Sequence, residues 1–270
     1  MDFTIEAYRK LLITLQLKGY LFKTFEKFIE SNEVSRTVVL RHDVDRLPRN
    51  ALRMARLENS LDVQSTYYFR IVPQSWNSQI IKQIVRLGHE VAYHYEDLAL
   101  FKGVYEEAIL HFEKQLARFR TLYPSRTICM HGSPMTPYDN RKIWERYDYR
   151  AYGITAEPYF DVDYTKVFYI TDTGRCWNNT GANLRDTVQS GFDIKIKSTN
   201  HMITLFHAGK MPDQIIINTH PQRWFPPGYY WARELVVQNM KNIVKKILVQ
   251  NGFSNPSRNY SFKDHSVKAG

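Results

Sequence analysis

The sequence predicts an α/β protein, a distorted (β/α) barrel of seven or eight parallel strands, and three observations lead there. Short apolar, β-branched runs alternate with amphipathic stretches of helical period along most of the chain. The runs lack a polar alternation, as expected of strands buried on both faces beneath covering helices. Six of them end in polar residues: Asp43 and Asp45, Arg70, His94, His131, Asp172 and His220. The C-terminal edge of a parallel sheet is where such folds gather their chemistry.

The elements follow in order. Residues 4–30 read as helical, with Leu11, Leu12, Leu15 and Leu17 as the apolar set and a break at Gly19. Thr37-Val38-Val39-Leu40 is a strand leading into Arg41-His42-Asp43-Val44-Asp45, and Pro48 opens a helix through about residue 61. The unit then recurs. Residues 65–70 read as a strand, 78–87 as a helix ended by Gly88, 90–94 as a strand, 104–122 as a helix and 127–131 as a strand. A helix is expected at 140–147, then strands at 149–154, 167–170, 202–206 and 214–218. The last helix, 233–250, is expected to bury Val236, Met240, Ile243, Val244 and Ile247. No repeat, linker or low-complexity block divides the 270 residues, so one domain is expected, with an N-terminal helical segment at 1–35 and a polar tail at 252–270.

Composition narrows the partners. The formal net charge is +10, which suits an anionic partner, but the basic residues are scattered and bring no zinc-finger spacing or aromatic-basic RNA signature. Nucleic acid is therefore not expected. The 18 tyrosines suit either half-buried packing or a sugar groove. Two cysteines, Cys129 and Cys176, imply no disulfide framework. Residues 1–19 carry Asp2, Glu6, Arg9 and Lys10 without an apolar core, unlike a signal peptide, and no run of about 18 apolar residues occurs. A soluble cytoplasmic protein is the expectation. The last helix sets Lys241, Lys245 and Lys246 opposite its apolar stripe; a solvated outer helix is expected, and peripheral membrane contact is the alternative.

Asp43 and Asp45 lie two apart on an extended segment, so both carboxylates face one side and repel unless a cation or proton relieves them. A metal ligand beside a general base is one natural division; a capping pair before the helix is the bland one. His94 and the following Glu96 and Asp97 offer further ligand types. His131, entering the turn Gly132-Ser133-Pro134, suits a metal ligand, an orienting group, a substrate contact or a turn brace. His220 before Pro221 suits a general acid for a leaving group. Arg70, Asp172, Arg175, Trp177, Arg223 and Trp224 are candidate substrate contacts, Trp beside Arg being a common way to hold a sugar ring. His89, His111 and His265 read as unremarkable surface or structural positions.

Over roughly residues 36–225 the pattern resembles the polysaccharide deacetylase family, carbohydrate esterase family four and its relatives, which are distorted (β/α) barrels. Asp43-Val44-Asp45 matches the family's paired aspartates, implying Asp43 as base and Asp45 as metal ligand. Gly88-His89-Glu90-Val91-Ala92-Tyr93-His94 matches its second motif through the first ligand, His94, and His220 matches the leaving-group histidine. The second ligand position holds Leu98, and the third motif, usually Arg-Pro, reads Met130-His131-Gly132-Ser133-Pro134. A third ligand then comes from His131, Glu96, Asp97 or water. The resemblance implies a divergent branch similar to deacetylase-like proteins encoded among surface-polysaccharide genes. The activity it implies is metal-dependent, with Zn²⁺ by ligand type, and removes an acyl group from an N-acylated sugar or polysaccharide. A metal-independent amidase using Asp43 and His220, and an inactive carbohydrate-binding barrel, are the rival readings.

Overall fold

The computed structural model describes residues 1–31, 35–132, 136–177 and 188–250, with side chains as far as residue 243. Among them are seven strands: β1 (Leu21–Lys23), β2 (Thr37–Val44), β3 (Thr66–Phe69), β4 (Glu90–Tyr95), β5 (Ile128–Met130), β6 (Phe168–Thr171) and β7 (Gln214–Thr219). All pairings are parallel, in the order β5-β4-β3-β2-β7-β6, and β1 pairs with the first residues of β2 in line with β3. The sheet curls into a half-barrel, in agreement with the predicted distorted (β/α) barrel.

The reason lies in β2, whose eight residues are all buried. Its side chains alternate, so Val39 joins one apolar cluster while Val38 and Leu40 join a second on the opposite face. A strand that must hide both faces needs helices outside it. They are α1 (Ile5–Leu17), α2 (Phe25–Glu30), α3 (Pro48–Asn59), α4 (Ser78–Arg86), α5 (Asp97–Leu100), α6 (Tyr105–Arg120), α7 (Pro158–Asp161), α8 (Thr199–His207) and α9 (Tyr229–Gln250). Side chains start several of them: Thr4, Asn77 and Ser198 accept hydrogen bonds from the backbone N–H of Ala7, Ile80 and His201. Each such cap is worth about 1 kcal/mol. Gly88, at φ 86°, turns the chain out of α4 as predicted.

Five elements differ from expectation, one of them the helix expected at 140–147, which is a 3₁₀ helix over Asn140–Glu145. The single N-terminal helix is α1, then β1, then α2, because Leu21-Phe22-Lys23 finds an edge on β2. Residues 149–154 are not a strand; Tyr149–Tyr152 forms a 3₁₀ turn, with Asp148 accepting from the Arg150 N–H and Gly153 closing it at φ 69°. The expected strand 202–206 lies inside α8, where Ser198 caps the start and Met202 and Phe206, four apart, face the core.

The last correction concerns α9. It begins earlier than predicted, and Val236, Met240 and Ile243 are 58%, 63% and 58% exposed rather than buried. Three of its polar residues pack inward instead: Glu234 and Gln238 are buried, Glu234 pairs with Arg46, and Asn242 donates to the Gly174 carbonyl. The side chains of Val244 and Ile247, the Ser133-Pro134 turn, Asn178 and the tail at 252–270 lie outside the described residues. No helix among the described residues is long and apolar enough to cross a membrane.

Behind the sheet lies a polar knot that the sequence does not announce. Glu58 of α3 is fully buried and accepts hydrogen bonds from Tyr8, Tyr67 and Ser65 at 2.7, 2.7 and 2.6 Å. His42 Nε2 lies 2.9 Å from the same carboxylate, and its Nδ1 is 2.6 Å from Thr219 Oγ1. His89 is also buried, against Ser65 and the Ala55 carbonyl. These histidines are structural.

Candidate metal centre and its surroundings

Because β2 alternates, Arg41, Asp43 and Asp45 emerge on one side, as the sequence predicts for the two aspartates. The structure adds Arg41 to the group. Its Nε and Nη2 donate to the two oxygens of Asp43 at 2.9 and 2.7 Å, a bidentate pair in a fully buried setting. Asn218, opposite Arg41 in the β2–β7 register, donates to Asp43 Oδ2 at 3.0 Å. Burial alone pushes the Asp43 carboxyl up; Arg41, helped by His94 and His220, outweighs it and holds Asp43 well below the usual carboxylate range. Arg41 was legible in principle, since an i, i+2 spacing on a strand places it beside Asp43.

Asp45 is held differently. Gln222 donates to its Oδ2 at 2.9 Å, while Oδ1 is buried without a hydrogen bond of good geometry. Around Oδ1 stand His131 Nδ1 at 3.1 Å and His94 Nε2 at 3.7 Å, and the two imidazole nitrogens are 3.3 Å apart. His131 arrives from the end of β5, next to β4, which carries His94; its backbone N–H donates to the Tyr95 carbonyl.

These three atoms fit a cation. Bonds of about 2.0–2.2 Å in a tetrahedral shell put ligand atoms roughly 3.3–3.6 Å apart. His94 Nδ1 lies 2.9 Å from the Cys129 carbonyl, which can only accept, so Nδ1 carries the proton and Nε2 presents its lone pair. Burial lowers the His94 pKa to about 4 despite the nearby Asp43, so the ring is neutral at neutral pH. Burial raises Asp45, but His131, His220 and His94 overcome it and keep the carboxyl ionised.

A second group with ligand atoms in reach is Asp43, His94 and Cys129, the cysteine facing His94 in the strand register. Both Asp43 oxygens are engaged by Arg41 and Asn218, whereas Asp45 Oδ1 is open, so the Asp45–His94–His131 group suits an ion better.

The other predicted positions fall into three kinds. Leu98 is buried in α5, and Asp97 beside it is turned inward to Tyr93 and to His111, whose Nδ1 is 2.5 Å away. His111 is thus half-buried and paired rather than on a free solvent face. Glu96 takes both oxygens to Arg70 at 2.8 and 2.7 Å, which makes Arg70 part of the wall near Asp45. His220 does face the centre, with Nε2 4.0 Å from Asp45 Oδ2.

Asp172 turns out to orient His220. It lies 2.6 Å from His220 Nδ1 and accepts from Arg223 at 2.7 Å and from the Trp224 indole at 2.8 Å, with no exposure of its own. Burial and Arg223 depress His220, but the carboxylates of Asp172 and Asp45 prevail and raise it above its ordinary value. Trp177 and Trp224 are core residues packed with Phe3, not stacking platforms at the mouth, because their ring faces are covered. Arg175 lies over the Phe3 and Trp231 rings and donates to the Trp231 carbonyl.

One buried carboxyl has no sequence signature. Glu157 accepts from the backbone N–H groups of Met130 and Tyr159, and burial raises it to about 7 against the partial relief of those bonds. Its folded pKa lies above the ordinary 4.5, so its contribution to stability is complete below 4.5 and is lost as pH rises through about 7. Glu157→Gln is expected to flatten that part of the pH profile. Urea unfolding of both proteins at the two ends of the window tests it; parallel losses rule it out.

The fold and site together define a curled parallel α/β half-barrel with a His–His–Asp group that could hold a metal ion at the C-terminal mouth of its sheet. Neither a scan against protein-family models nor a search of curated proteins finds a match to this sequence.

Proposed function

We propose that the protein is a metal-dependent hydrolase that removes an acyl group from an N-acylated sugar or polysaccharide. The observation that carries the reading is the open, buried Asp45 Oδ1 with His131 Nδ1 and His94 Nε2 at 3.1 and 3.7 Å. Asp45, His94 and His131 would hold a divalent cation, Zn²⁺ by ligand type, and His131 then fills the role that Leu98 cannot. Such an ion supplies Lewis acidity toward a carbonyl oxygen and makes a water more acidic.

The chain's own groups divide the remaining work. Asp43, kept ionised and fixed in orientation by Arg41 and Asn218, takes a proton from the attacking water. His220, with Nδ1 held by Asp172, presents Nε2 to the mouth and gives a proton to the departing amine. Its raised pKa keeps a larger share of it protonated at neutral pH, as an acid requires. Cys129 and Cys176 form no disulfide, the usual state in a reducing compartment, and a cytoplasmic location is part of the proposal.

Release of acetate from N-acetylated oligosaccharides, assayed with the zinc-loaded protein and after chelation, tests the reading. Chelator-sensitive release supports it; no release with zinc bound overturns it. Within that activity, Asp172→Asn is expected to lower the His220 pKa and turnover by about 10²–10⁴-fold. NMR titration of the His220 ring reads the first effect, and an unchanged pKa with unchanged turnover refutes the pairing.

A further inference from the structure

Helix α9 is packed the wrong way round for a solvated helix. Its inward residues are Glu234, paired with Arg46 at 3.1 Å, Gln238 and Asn242, with Trp231 and Leu235 half-buried beside them. Its outward residues include Tyr229, Val236, Met240 and Ile243, between 58% and 74% exposed, flanked by exposed Arg233, Asn239 and Lys241. The spacing of 236, 240 and 243 places these three in one stripe. A helix that spends its polar side on the protein and leaves an apolar stripe in water has a further partner for that stripe.

Charge identifies the partner. The helix sequence holds Arg233, Lys241, Lys245 and Lys246 against the single acid Glu234, which Arg46 already neutralises. Arg46 leads directly into α3, whose exposed side carries Arg49, Arg53 and Arg56, and exposed Lys82 and Arg86 follow on the neighbouring α4. The chain as a whole is at +10. Two copies pairing through α9 would set basic helices against each other, whereas an anionic lipid surface takes up both the apolar stripe and the cations. Tyr229 and Tyr230, 74% and 65% exposed, add rings of the kind that settle at the headgroup level.

We infer that α9 lies in the plane of an anionic membrane surface, with Val236, Met240 and Ile243 in the acyl boundary. Glu234 on its inner side is tied to Arg46, one residue beyond Asp45, so docking brings the mouth of the site close to the lipid. The inference rests on surface geometry and does not depend on the proposed chemistry.

Sedimentation of the full-length protein with vesicles of phosphatidylcholine, alone or mixed with phosphatidylglycerol, tests it. The protein is expected to sediment with the anionic vesicles and to be released by raised salt. A Val236→Asp, Met240→Asp, Ile243→Asp variant is expected to bind at least about tenfold more weakly while keeping its thermal transition. Three results overturn the inference: no sedimentation with anionic vesicles, equal sedimentation with neutral ones, or undiminished binding by the folded triple variant. A dimer by light scattering that the same variant abolishes, without vesicle binding, assigns the stripe to a second copy instead. Should the variant lose its thermal transition, the single change Met240→Asp repeats the comparison.

Discussion

On the proposed reading, Asp45→Ala is expected to leave the folded protein unable to hold zinc. The substitution removes a buried carboxylate oxygen that has no hydrogen bond of good geometry among the described residues and stands within 3.1 and 3.7 Å of two imidazole nitrogens. Loss of a group that merely supports a ligand costs about 10–100-fold in metal affinity, and loss of a direct ligand costs at least the upper end of that range. His131→Ala is expected to follow it, and Leu98→Ala, which acts on a core residue, is not. Metal analysis after dialysis against a weak chelator measures all three. Zinc retained at one equivalent by both Asp45→Ala and His131→Ala refutes the ligand set, whatever the activity shows. Asp43→Asn serves as the contrast: its oxygens are occupied by Arg41 and Asn218, so metal content is expected to persist while turnover falls.

The largest effect on stability is expected at Glu58→Ala. The change deprives Tyr8, Tyr67, Ser65 and His42 of a shared acceptor in a place where the carboxylate has no exposure. Breaking one side of a buried charged network costs about 3–5 kcal/mol, a large part of the 5–15 kcal/mol typical of a folded domain. The carboxyl also leaves a mark on the pH dependence. Burial would raise it, but His42, then His89 and Ser65, pull it from 4.5 to about 2. A group with a depressed folded pKa adds stability above its unfolded value and loses it as pH falls through the folded one. Acid unfolding between 4.5 and about 2 is therefore expected to be steeper in the wild type than in Glu58→Gln. A Glu58→Ala loss below about 1 kcal/mol in urea would show that the knot is dispensable.

Both strengths and gaps of sequence reading trace to local physics. The strand ends at Asp45, His94, His131 and His220 were legible because apolar runs stop where polar residues begin. That the histidines converge was legible only as a consequence of a parallel sheet. By contrast, Leu21-Phe22-Lys23 is too short to show any period, and only its edge on β2 makes it a strand. Met202-Ile203-Thr204-Leu205-Phe206 fits a strand as well as a helix, and the deciding residue is Ser198, a cap four positions upstream. Trp177 and Trp224 sit in loops by sequence, yet Phe3 and the Asp172 carboxylate draw them into the core. In α9 the spacing of Val236, Met240 and Ile243 shows that they share a side but not which way that side faces, which is decided by Arg46 and Gly174, far away in the chain.

The two walls of the candidate centre also differ in how firmly the backbone holds them. Strand β2, carrying Asp43 with Asp45 just beyond it, is bonded to β1 and β3 on one edge and to β7 on the other. Strand β5, which delivers His131, is three residues long and ladders with β4; its other edge is held by the bridge from Thr127 to Ala156 and by Met130 N–H donating to Glu157. Amide protons along β2 are accordingly expected to exchange with solvent later than that of His131, which hydrogen exchange measures. On the proposed reading the carboxylates would form the firmer jaw and His131 the more yielding one, so an ion would be expected to enter and leave on the His131 side.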